Sequence, residues 1–182
     1  MVPEFPDILE TFKRSAAALQ DAGVPFALGG GLACWARGGP ETQHDIDYMV
    51  RPEDAERALD ALEEAGFKPE KPPENWLYKA HDGEVLIDLI FDPQGGPVDD
   101  EILGRAEELE VQAVRMSVMT LEDVMVTKLL ALREHEVDYD SVLEVARSLR
   151  EQIDWDAVRK QTDSSPYARG FFFLAQELEI LG

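Results

Sequence analysis

Two aspartates separated by a single residue, Asp45 and Asp47, open the apolar segment DIDYMV. In an extended strand, residues i and i+2 project to the same face, with Cα atoms roughly 6–7 Å apart. Two like charges on one face repel each other, so the pair favours a bound cation, and hard divalent ions prefer such oxygen ligands. The alternative is a pair that only solvates the end of a strand or caps a turn.

A third aspartate, Asp88, stands in EVLIDLIF, where every other residue from Val85 to Phe91 is apolar. Such a run is typical of a strand covered on both faces, where an ionised carboxylate is costly unless it is paired or bound to a metal. Asp88 therefore needs a metal ion, a salt bridge or water at the strand's end. If its strand neighbours DIDYMV, the three carboxylates converge on two metal ions roughly 3.5–4 Å apart, as in metal-assisted phosphoryl transfer.

A glycine-rich segment, ALGGGLACWARGG, precedes the aspartates and reads as a strand, a tight turn at Gly29 to Gly31, and a short helix. Glycines before a helix let backbone N–H groups approach a phosphate, and the helix N-terminus adds partial positive charge. The segment is not a Rossmann fingerprint, because Cys34 stands where the third glycine is required, and it lacks the Lys-Ser or Lys-Thr of a P-loop. Alone, it fits equally well a turn that binds no ligand.

The elements that must position these residues alternate between helix and strand. Apolar residues at helical spacing predict a helix to about residue 22, with Asp7 as its N-cap. PFAL and DIDYMV predict short strands, and Pro52 begins a predicted helix of about three turns. NWLYKAHDGEVLIDLIF predicts two strands joined at Asp82-Gly83, a strong hairpin signal.

The second half of the chain is predicted to be mostly helical. DPQGGPVDD (92–100) predicts a loop, LEVQAVRMSV (109–118) predicts one further strand, and the pattern is helical from Thr120 onward. The whole predicts an α/β (α+β) fold, in which a small mixed β-sheet is flanked by helices and followed by a helical portion. We expect two parts, 1–118 and 119–182, which pack firmly because the join lacks Gly and Pro.

Composition narrows the classes of function. The chain has 182 residues, 45% of them hydrophobic, and a net charge of −21, which disfavours broad binding of nucleic acid through a basic face. The single cysteine, Cys34, excludes a disulfide framework and a multi-cysteine zinc site, and its apolar neighbours predict a core position. The N-terminus of the chain lacks the pattern of a signal peptide, and the apolar runs of the chain are shorter than the roughly 20 residues that span a bilayer. We expect a cytoplasmic protein with no membrane partner.

These motifs resemble those of the minimal nucleotidyltransferases of the DNA polymerase β-like superfamily. In that family Gly-Gly or Gly-Ser opens a short helix, Asp-x-Asp opens the next strand, and a third Asp follows on a later strand. GGLACWARGGPETQHDID, from Gly30 to Asp47, matches the first two features, and LIDLIF supplies the third. The polar ETQH places the aspartates at the beginning of their strand, whereas haloacid-dehalogenase-like phosphatases and many glycosyltransferases place theirs after a strand. The resemblance is to bacterial members that are toxin-like or uncharacterised.

The resemblance implies a role for each matching residue. Gly30 and Gly31 would hold the β and γ phosphates of a nucleoside triphosphate through backbone N–H groups. Asp45 and Asp47 would ligate two Mg²⁺ ions, with Mn²⁺ as an alternative. Asp88 would complete the catalytic ion and help to deprotonate or orient the acceptor hydroxyl. The reaction implied is transfer of a nucleoside monophosphate to that hydroxyl, with release of pyrophosphate.

Two further segments, around Lys128 and before the Asp-x-Asp, would lie at the edges of this site. LEDVMVTKLLAL is similar to the family's segment with a lysine near the triphosphate, which implies that Lys128 adds charge there; from its spacing alone, Lys128 equally fits a solvated helix face. Relatives often carry Arg and Thr shortly before the Asp-x-Asp, whereas this chain has Glu41 and Gln43. This departure affects how nucleotide or acceptor is steered at that edge.

The acceptor and the nucleotide are not specified by the sequence. With an acidic chain, a small molecule or a protein suits the acceptor site better than a long nucleic acid, and ATP is one candidate donor. Two alternatives stay open: a non-catalytic nucleotide- or partner-binding module of a toxin–antitoxin type system, and a metal-dependent phosphohydrolase. An exposed apolar surface on the helical end, where FFFLA lies, would favour a homodimer or a protein partner.

Overall fold

A computed structural model of the protein describes residues 3–42, 45–134 and 136–181. The elements along the chain are α1 (Phe5–Asp21), β1 (Phe26–Leu28), α2 (Gly30–Trp35), β2 (Asp45–Val50), α3 (Ala55–Glu64), β3 (Lys68–Glu70), β4 (Leu77–Asp82), β5 (Val85–Ile90), α4 (Asp100–Arg105), β6 (Glu107–Val111), β7 (Val114–Val118), α5 (Leu121–Ala131), α6 (Tyr139–Leu149), α7 (Trp155–Thr162) and α8 (Pro166–Glu177). Short 3-10 turns at Pro52–Asp54 and Arg150–Gln152 precede α3 and follow α6.

The described strands form one mixed sheet of seven strands in the order β3-β4-β5-β2-β1-β7-β6. The pairs β2–β5 and β1–β7 are parallel, and the other neighbouring pairs are antiparallel. The predicted α/β class, with a mixed sheet flanked by helices, is confirmed. The sheet is larger than the predicted elements required, because two strands lie outside them.

The two faces of the central strands have different surroundings. α1 and α3 pack on one face, where the Tyr48 hydroxyl lies 2.8 Å from Ser15 Oγ of α1 in the buried interior. Because side chains alternate along a strand, Asp45, Asp47 and Met49 of β2 project to the opposite face. The same strand therefore supplies core residues on one side and carboxylates on the other.

The helical end of the chain contacts α2, which packs on β2. α5 contacts α2 and also packs with α6, α7 and α8, and Cys34 of α2 is buried, as its apolar neighbours predict. Phe171 of α8 is fully buried and its ring centroid lies 6.1 Å from that of Trp155. Within the described parts of the chain, no helix is both long and apolar enough to cross a membrane.

Three local predictions were wrong. α1 begins a turn earlier than expected, because Glu4 is its N-cap and Asp7 is the N3 residue of a capping box. The β4–β5 turn consists of Gly83 and Glu84 rather than Asp82-Gly83, since Asp82 still pairs with Val85. That shift by one residue changes which side chains face each other across the hairpin.

The third wrong prediction is the structure of residues 92–118. The predicted single strand is a hairpin of β6 and β7, whose turn residues Gln112 and Ala113 have φ angles of 52° and 63°. Neither residue is the Gly or Asn that usually marks such a turn, so the turn was missed. The predicted loop is followed by α4, which Asp99 caps by accepting a hydrogen bond from the Ile102 backbone N–H at 2.9 Å.

Candidate functional site

The register of two parallel strands brings the three sequence-predicted aspartates together. β2 and β5 are neighbours, and Asp47 is paired with Asp88 across them. Directly paired residues of neighbouring strands share a face of the sheet, and Asp45 lies two residues before Asp47 on that face. All three residues line one cleft.

The cleft has a volume of about 830 Å³ and lies between the carboxylate face of the sheet and α5. Strands β2, β4 and β5 supply one wall, and α5 supplies the other through residues that include Thr127 and Lys128. Residues outside the helices and strands that also line the cleft include Glu74, Trp76, Asp92, Gln94, Arg133 and Glu136. The sheet and the helical portion thus both contribute to one cavity of a size suited to a small-molecule ligand.

The glycine turn lies directly against one of the carboxylates. The Gly29 N–H donates to the Asp47 carbonyl oxygen at 2.8 Å, and Gly30 has a φ of +55°. A Cβ at Gly30 would lie 1.6 Å from Asp47 Oδ2, and one at Gly31 would lie 2.7 Å from Thr42 Oγ1. Only a residue without a side chain allows the backbone this close to Asp47, which explains the glycine at position 30.

Asp88 has a lysine partner. It is buried, with 8% of its surface exposed, and its Oδ1 accepts a hydrogen bond from Lys79 Nζ at 3.1 Å. Lys79 of β4 is paired with Asp88 of β5 in the antiparallel register. A salt bridge, one of the partners considered from the sequence, is thus formed at Asp88.

Burial and the neighbouring carboxylates raise the pKa values of Asp47 and Asp88. Burial raises the pKa of Asp47 to about 7, assisted by the neighbouring charges of Asp88 and Asp45 and opposed by the Lys128 and Lys79 ammonium groups. Burial also raises the pKa of Asp88, and the Lys79 ammonium opposes that change. The nearby lysines do not offset the effect of burial, and perturbed carboxyl groups that share a cleft are a common feature of functional sites.

The chemistry of the donors fits a hard divalent cation. Asp45, Asp47 and Asp88 offer only carboxylate oxygens, which are the ligands that Mg²⁺ and Mn²⁺ prefer. In the side-chain conformations of the structure, no three His, Cys, Asp or Glu side chains of the described residues are arranged to hold a metal ion. The carboxylates therefore share a cleft without forming a closed coordination shell, and Asp88 is paired with Lys79.

Lys128 lines the cleft from the α5 side. Its charge lowers the pKa of Asp47 against the larger effect of burial, so its ammonium group acts on the carboxylate cluster. Glu41, at the edge where relatives often carry a basic residue, is exposed. Gln43, the other departure in this segment, lies outside the described residues.

Lys79 and Trp76 are among the cleft residues that sequence reasoning missed. A lysine inside a predicted strand is typical of a solvated face, and a tryptophan before a strand is typical of a core. The correct hairpin register would have revealed Lys79: if Asp82 faces Val85, counting three residues outward along each strand brings Lys79 opposite Asp88. The expected turn position gave a different register and hid the pair.

Comparison with known proteins agrees with this architecture. In a crystal structure of ANT(2'')-Ia in complex with adenylyl-2''-tobramycin, a chain of 15% identity superposes with a TM-score of 0.64 over 90% of this chain and 97% of that one. The lincosamide antibiotic adenylyltransferase LnuA, with lincomycin bound, matches at 15% identity and a TM-score of 0.56, over 84% of this chain and 99% of that one. At these identities, the likeness shows the shared fold.

The family comes from the sequence itself. No curated protein matches the chain, but a family model described as "Uncharacterised nucleotidyltransferase" matches residues 8–178. That range includes the glycine turn, all three aspartates and Lys128. The chain therefore belongs to this family of nucleotidyltransferases.

Proposed function

We propose that the protein transfers a nucleoside monophosphate from a nucleoside triphosphate to an acceptor hydroxyl and releases pyrophosphate. The observation that carries this proposal is the meeting of Asp45, Asp47 and Asp88 on one face of the sheet, beside the backbone of Gly30. Family membership gives the class of reaction, and this cluster provides the groups that such a reaction needs.

The proposed reaction is a displacement at the α-phosphorus. The acceptor oxygen forms a bond to that phosphorus, the bond from phosphorus to the β-bridging oxygen breaks, and pyrophosphate leaves with its electron pair. Asp88 orients the acceptor hydroxyl and accepts its proton, since a carboxylate at the reacting centre can serve as a general base. Asp45 and Asp47 stand on the neighbouring strand, where they would hold the divalent ions that neutralise charge on the donor triphosphate.

Asp45, Asp47 and Asp88 would hold two Mg²⁺ ions, or Mn²⁺ in their place. Bound ions of this kind neutralise charge on the phosphoryl group and on the leaving oxygen. The elevated pKa of Asp47 supports this assignment, because crowded carboxylates gain most from a divalent cation.

The nucleotide would lie along the glycine turn. Gly30 and Gly31 would donate backbone N–H groups to its phosphates, supported by the close approach that their missing side chains allow. Lys128 would add positive charge from the α5 wall of the cleft. ATP is the proposed donor, because one structural neighbour was crystallised with an adenylylated aminoglycoside, adenylyl-2''-tobramycin, and the other is an adenylyltransferase.

The proposed acceptor is a small molecule that carries a hydroxyl group. One structural neighbour was crystallised with adenylyl-tobramycin and the other with lincomycin, and the cleft of about 830 Å³ suits a ligand of that size. The side of the cleft beyond Asp88 offers the indole of Trp76 and the carboxylates of Glu74 and Asp92. In this proposal, residues 1–118 form the catalytic part, and residues 119–182 complete the acceptor cleft through α5.

A non-catalytic module that binds nucleotide or a protein partner, as in a toxin–antitoxin type system, is the second candidate. It is favoured by exposed apolar side chains at the helical end, where Phe173 and Leu178 are 67% and 47% exposed. Turnover separates the two candidates, because only the enzyme releases pyrophosphate.

Calorimetric titration with each of the four NTPs in the presence of Mg²⁺ tests the proposal, followed by incubation of α-labelled nucleotide with hydroxyl-bearing small molecules. We expect binding of ATP, labelled acceptor and free pyrophosphate from the wild type. Asp47→Asn should lose the binding, whereas Asp60→Asn, which changes an exposed aspartate of α3, should retain it. Failure of every NTP to bind would contradict the proposal, and release of orthophosphate without labelled acceptor would favour a phosphohydrolase.

A further inference from the structure

The ammonium group of Lys79 reaches into the candidate site from the neighbouring strand. Its Nζ lies 3.1 Å from Asp88 Oδ1, and its side chain is 27% exposed while that of Asp88 is 11% exposed. Lys79 also lines the cleft that contains Asp45 and Asp47. The proposed metal and nucleotide contacts make no use of this lysine.

The ion pair of a second lysine, Lys71, shows how the Lys79–Asp88 pair differs from an ordinary surface pair. Lys71 Nζ lies 2.6 Å from Glu56 Oε2, but the two side chains are 49% and 62% exposed. Water screens such a pair, and it contributes little. The Lys79–Asp88 pair is more enclosed, and Asp88 belongs to a group of three carboxylates, so a cation here has a much larger local effect.

We propose that Lys79 is the internal counter-ion of the carboxylate cluster in the metal-free protein and competes with the divalent ion for Asp88. The inference rests on the proposed function, because it takes Asp45, Asp47 and Asp88 as the metal site. An oxygen that accepts a hydrogen bond from an ammonium group is less available as a metal ligand, and two cations beside the same carboxylates repel each other.

This competition has a consequence for the working state of the site. The divalent ion binds fully only when Asp88 turns from Lys79 towards Asp45 and Asp47. Lys79 therefore stabilises the metal-free cleft and raises the metal concentration at which the site assembles. Once displaced, its ammonium group stays in the same cleft, because β4 fixes its backbone beside β5.

The size of the effect follows from Coulomb's law. Even at the dielectric constant of water, a unit charge about 5 Å from a divalent ion weakens binding of that ion by about tenfold. Removal of the Lys79 charge should therefore tighten Mn²⁺ binding by about tenfold, measured without nucleotide. Mn²⁺ is a suitable probe because electron paramagnetic resonance reports the free ion directly.

The experiment compares wild type with four variants that thermal unfolding shows to be folded. Lys79→Met and Lys79→Gln remove the charge by two different side chains, so that one serves if the other fails to fold. Lys79→Arg keeps the charge and should bind Mn²⁺ within about threefold of wild type. Lys71→Met removes the exposed pair with Glu56 of α3, on the other face of the sheet, and should leave Mn²⁺ affinity unchanged.

Tighter Mn²⁺ binding by Lys79→Met or Lys79→Gln, together with retention of the wild-type affinity by Lys79→Arg, supports the proposal. Equal or weaker binding by both neutral variants, when the wild type binds Mn²⁺, overturns the role of Lys79 and leaves the proposed nucleotidyl transfer intact. Absence of Mn²⁺ binding by the wild type and by both neutral variants overturns the metal site itself, and the competition with it.

Discussion

Buried aspartates occur in two kinds of surroundings in this molecule. Asp123 of α5 accepts hydrogen bonds from Arg105 Nε at 3.0 Å and from Arg105 Nη2 at 2.9 Å. Asp54 accepts from Arg51 Nε at 2.8 Å and from Arg57 Nη2 at 3.0 Å. On the cleft face, by contrast, Asp88 accepts from a single lysine and stands beside two further aspartates.

The difference separates structural carboxylates from those that we propose to be functional. A guanidinium that binds both oxygens of a carboxylate completes its hydrogen bonds and its charge, so the pair needs nothing else. In the cleft, three carboxylates stand near two lysines, and burial, assisted by the charges of Asp88 and Asp45, raises the pKa of Asp47 to about 7. Carboxylates in a cleft whose charge is not balanced can bind a ligand of opposite charge. A carboxylate that is fully paired with an arginine instead joins two elements of the fold.

The largest expected effect tests the functional side of this comparison. Asp47→Asn keeps the shape of the side chain but removes a charged ligand of the proposed metal site. Loss of metal-assisted stabilisation worth several kcal/mol corresponds to a fall in kcat of at least about 100-fold. A labelled-nucleotide assay measures it, with Asp60→Asn as the control that retains activity. Activity of Asp47→Asn near that of wild type would remove Asp47 from the site.

The next effect is on the glycine turn, where backbone strain and contact with Asp47 combine. Gly30→Ala introduces a Cβ 1.6 Å from Asp47 Oδ2 at a φ of +55°, so we expect destabilisation of more than about 2 kcal/mol and loss of NTP binding. Gly23→Ala has a similar φ of +65° with no atom within 4 Å of the new Cβ and should cost about 1 kcal/mol. Chemical denaturation measures both, and equal losses would refute the contact.

Asp123→Asn tests the structural side. It leaves the Arg105 guanidinium without the carboxylate that joins α4 to α5, and hydrogen bonds to charged groups contribute about 1.5–3 kcal/mol. We expect the free energy of unfolding to fall by about 2 kcal/mol, with kcat of the folded fraction nearly unchanged. Denaturant titration and the transfer assay measure the two quantities. A variant as stable as wild type would show that the arginine pair does not support the fold.

A smaller effect is expected at Lys128, on the α5 wall of the cleft. Lys128→Met should raise the KM for the nucleotide by about tenfold, because one positive charge near the triphosphate is lost. Lys160→Met changes an exposed lysine of α7 and is the matched control. A KM equal to that of the control would place the triphosphate elsewhere in the cleft.

The smallest effect is the pH dependence of stability in the metal-free protein. Because the folded-state pKa of Asp47 is raised to about 7, the folded state holds a proton that the unfolded state loses near pH 4. The stability that this bound proton contributes to the folded state is therefore present at acidic pH and is lost as the pH rises towards 7 and above. In EDTA at pH 8, Asp47→Asn should raise Tm by about 2–4 °C relative to wild type. Near pH 4 the two proteins should have the same Tm, because Asp47 is then protonated. A lower Tm for Asp47→Asn than for wild type at pH 8 would contradict an unfavourable charge on Asp47 in the metal-free fold.

The sequence was sufficient for features fixed by local pattern. β2 spans Asp45–Val50, the segment predicted from its apolar run, and the glycine turn before α2 lies where the glycines indicated. Prediction failed where tertiary contacts override local signals: the turn at Gln112 and Ala113 lacks turn-forming residues, and β3 is a three-residue edge strand, Lys68–Glu70. Lys79 was missed because its partner Asp88 depends on the register of the hairpin.

A crystal structure with Mn²⁺ and a non-hydrolysable ATP analogue tests the central claim most directly, because anomalous scattering locates the ion without assumptions about its ligands. We predict two Mn²⁺ ions held by Asp45, Asp47 and Asp88, with the triphosphate against Gly30 and Gly31 and with Asp88 released from Lys79. Mn²⁺ bound away from these carboxylates, with the Lys79–Asp88 pair intact beside the nucleotide, would contradict it.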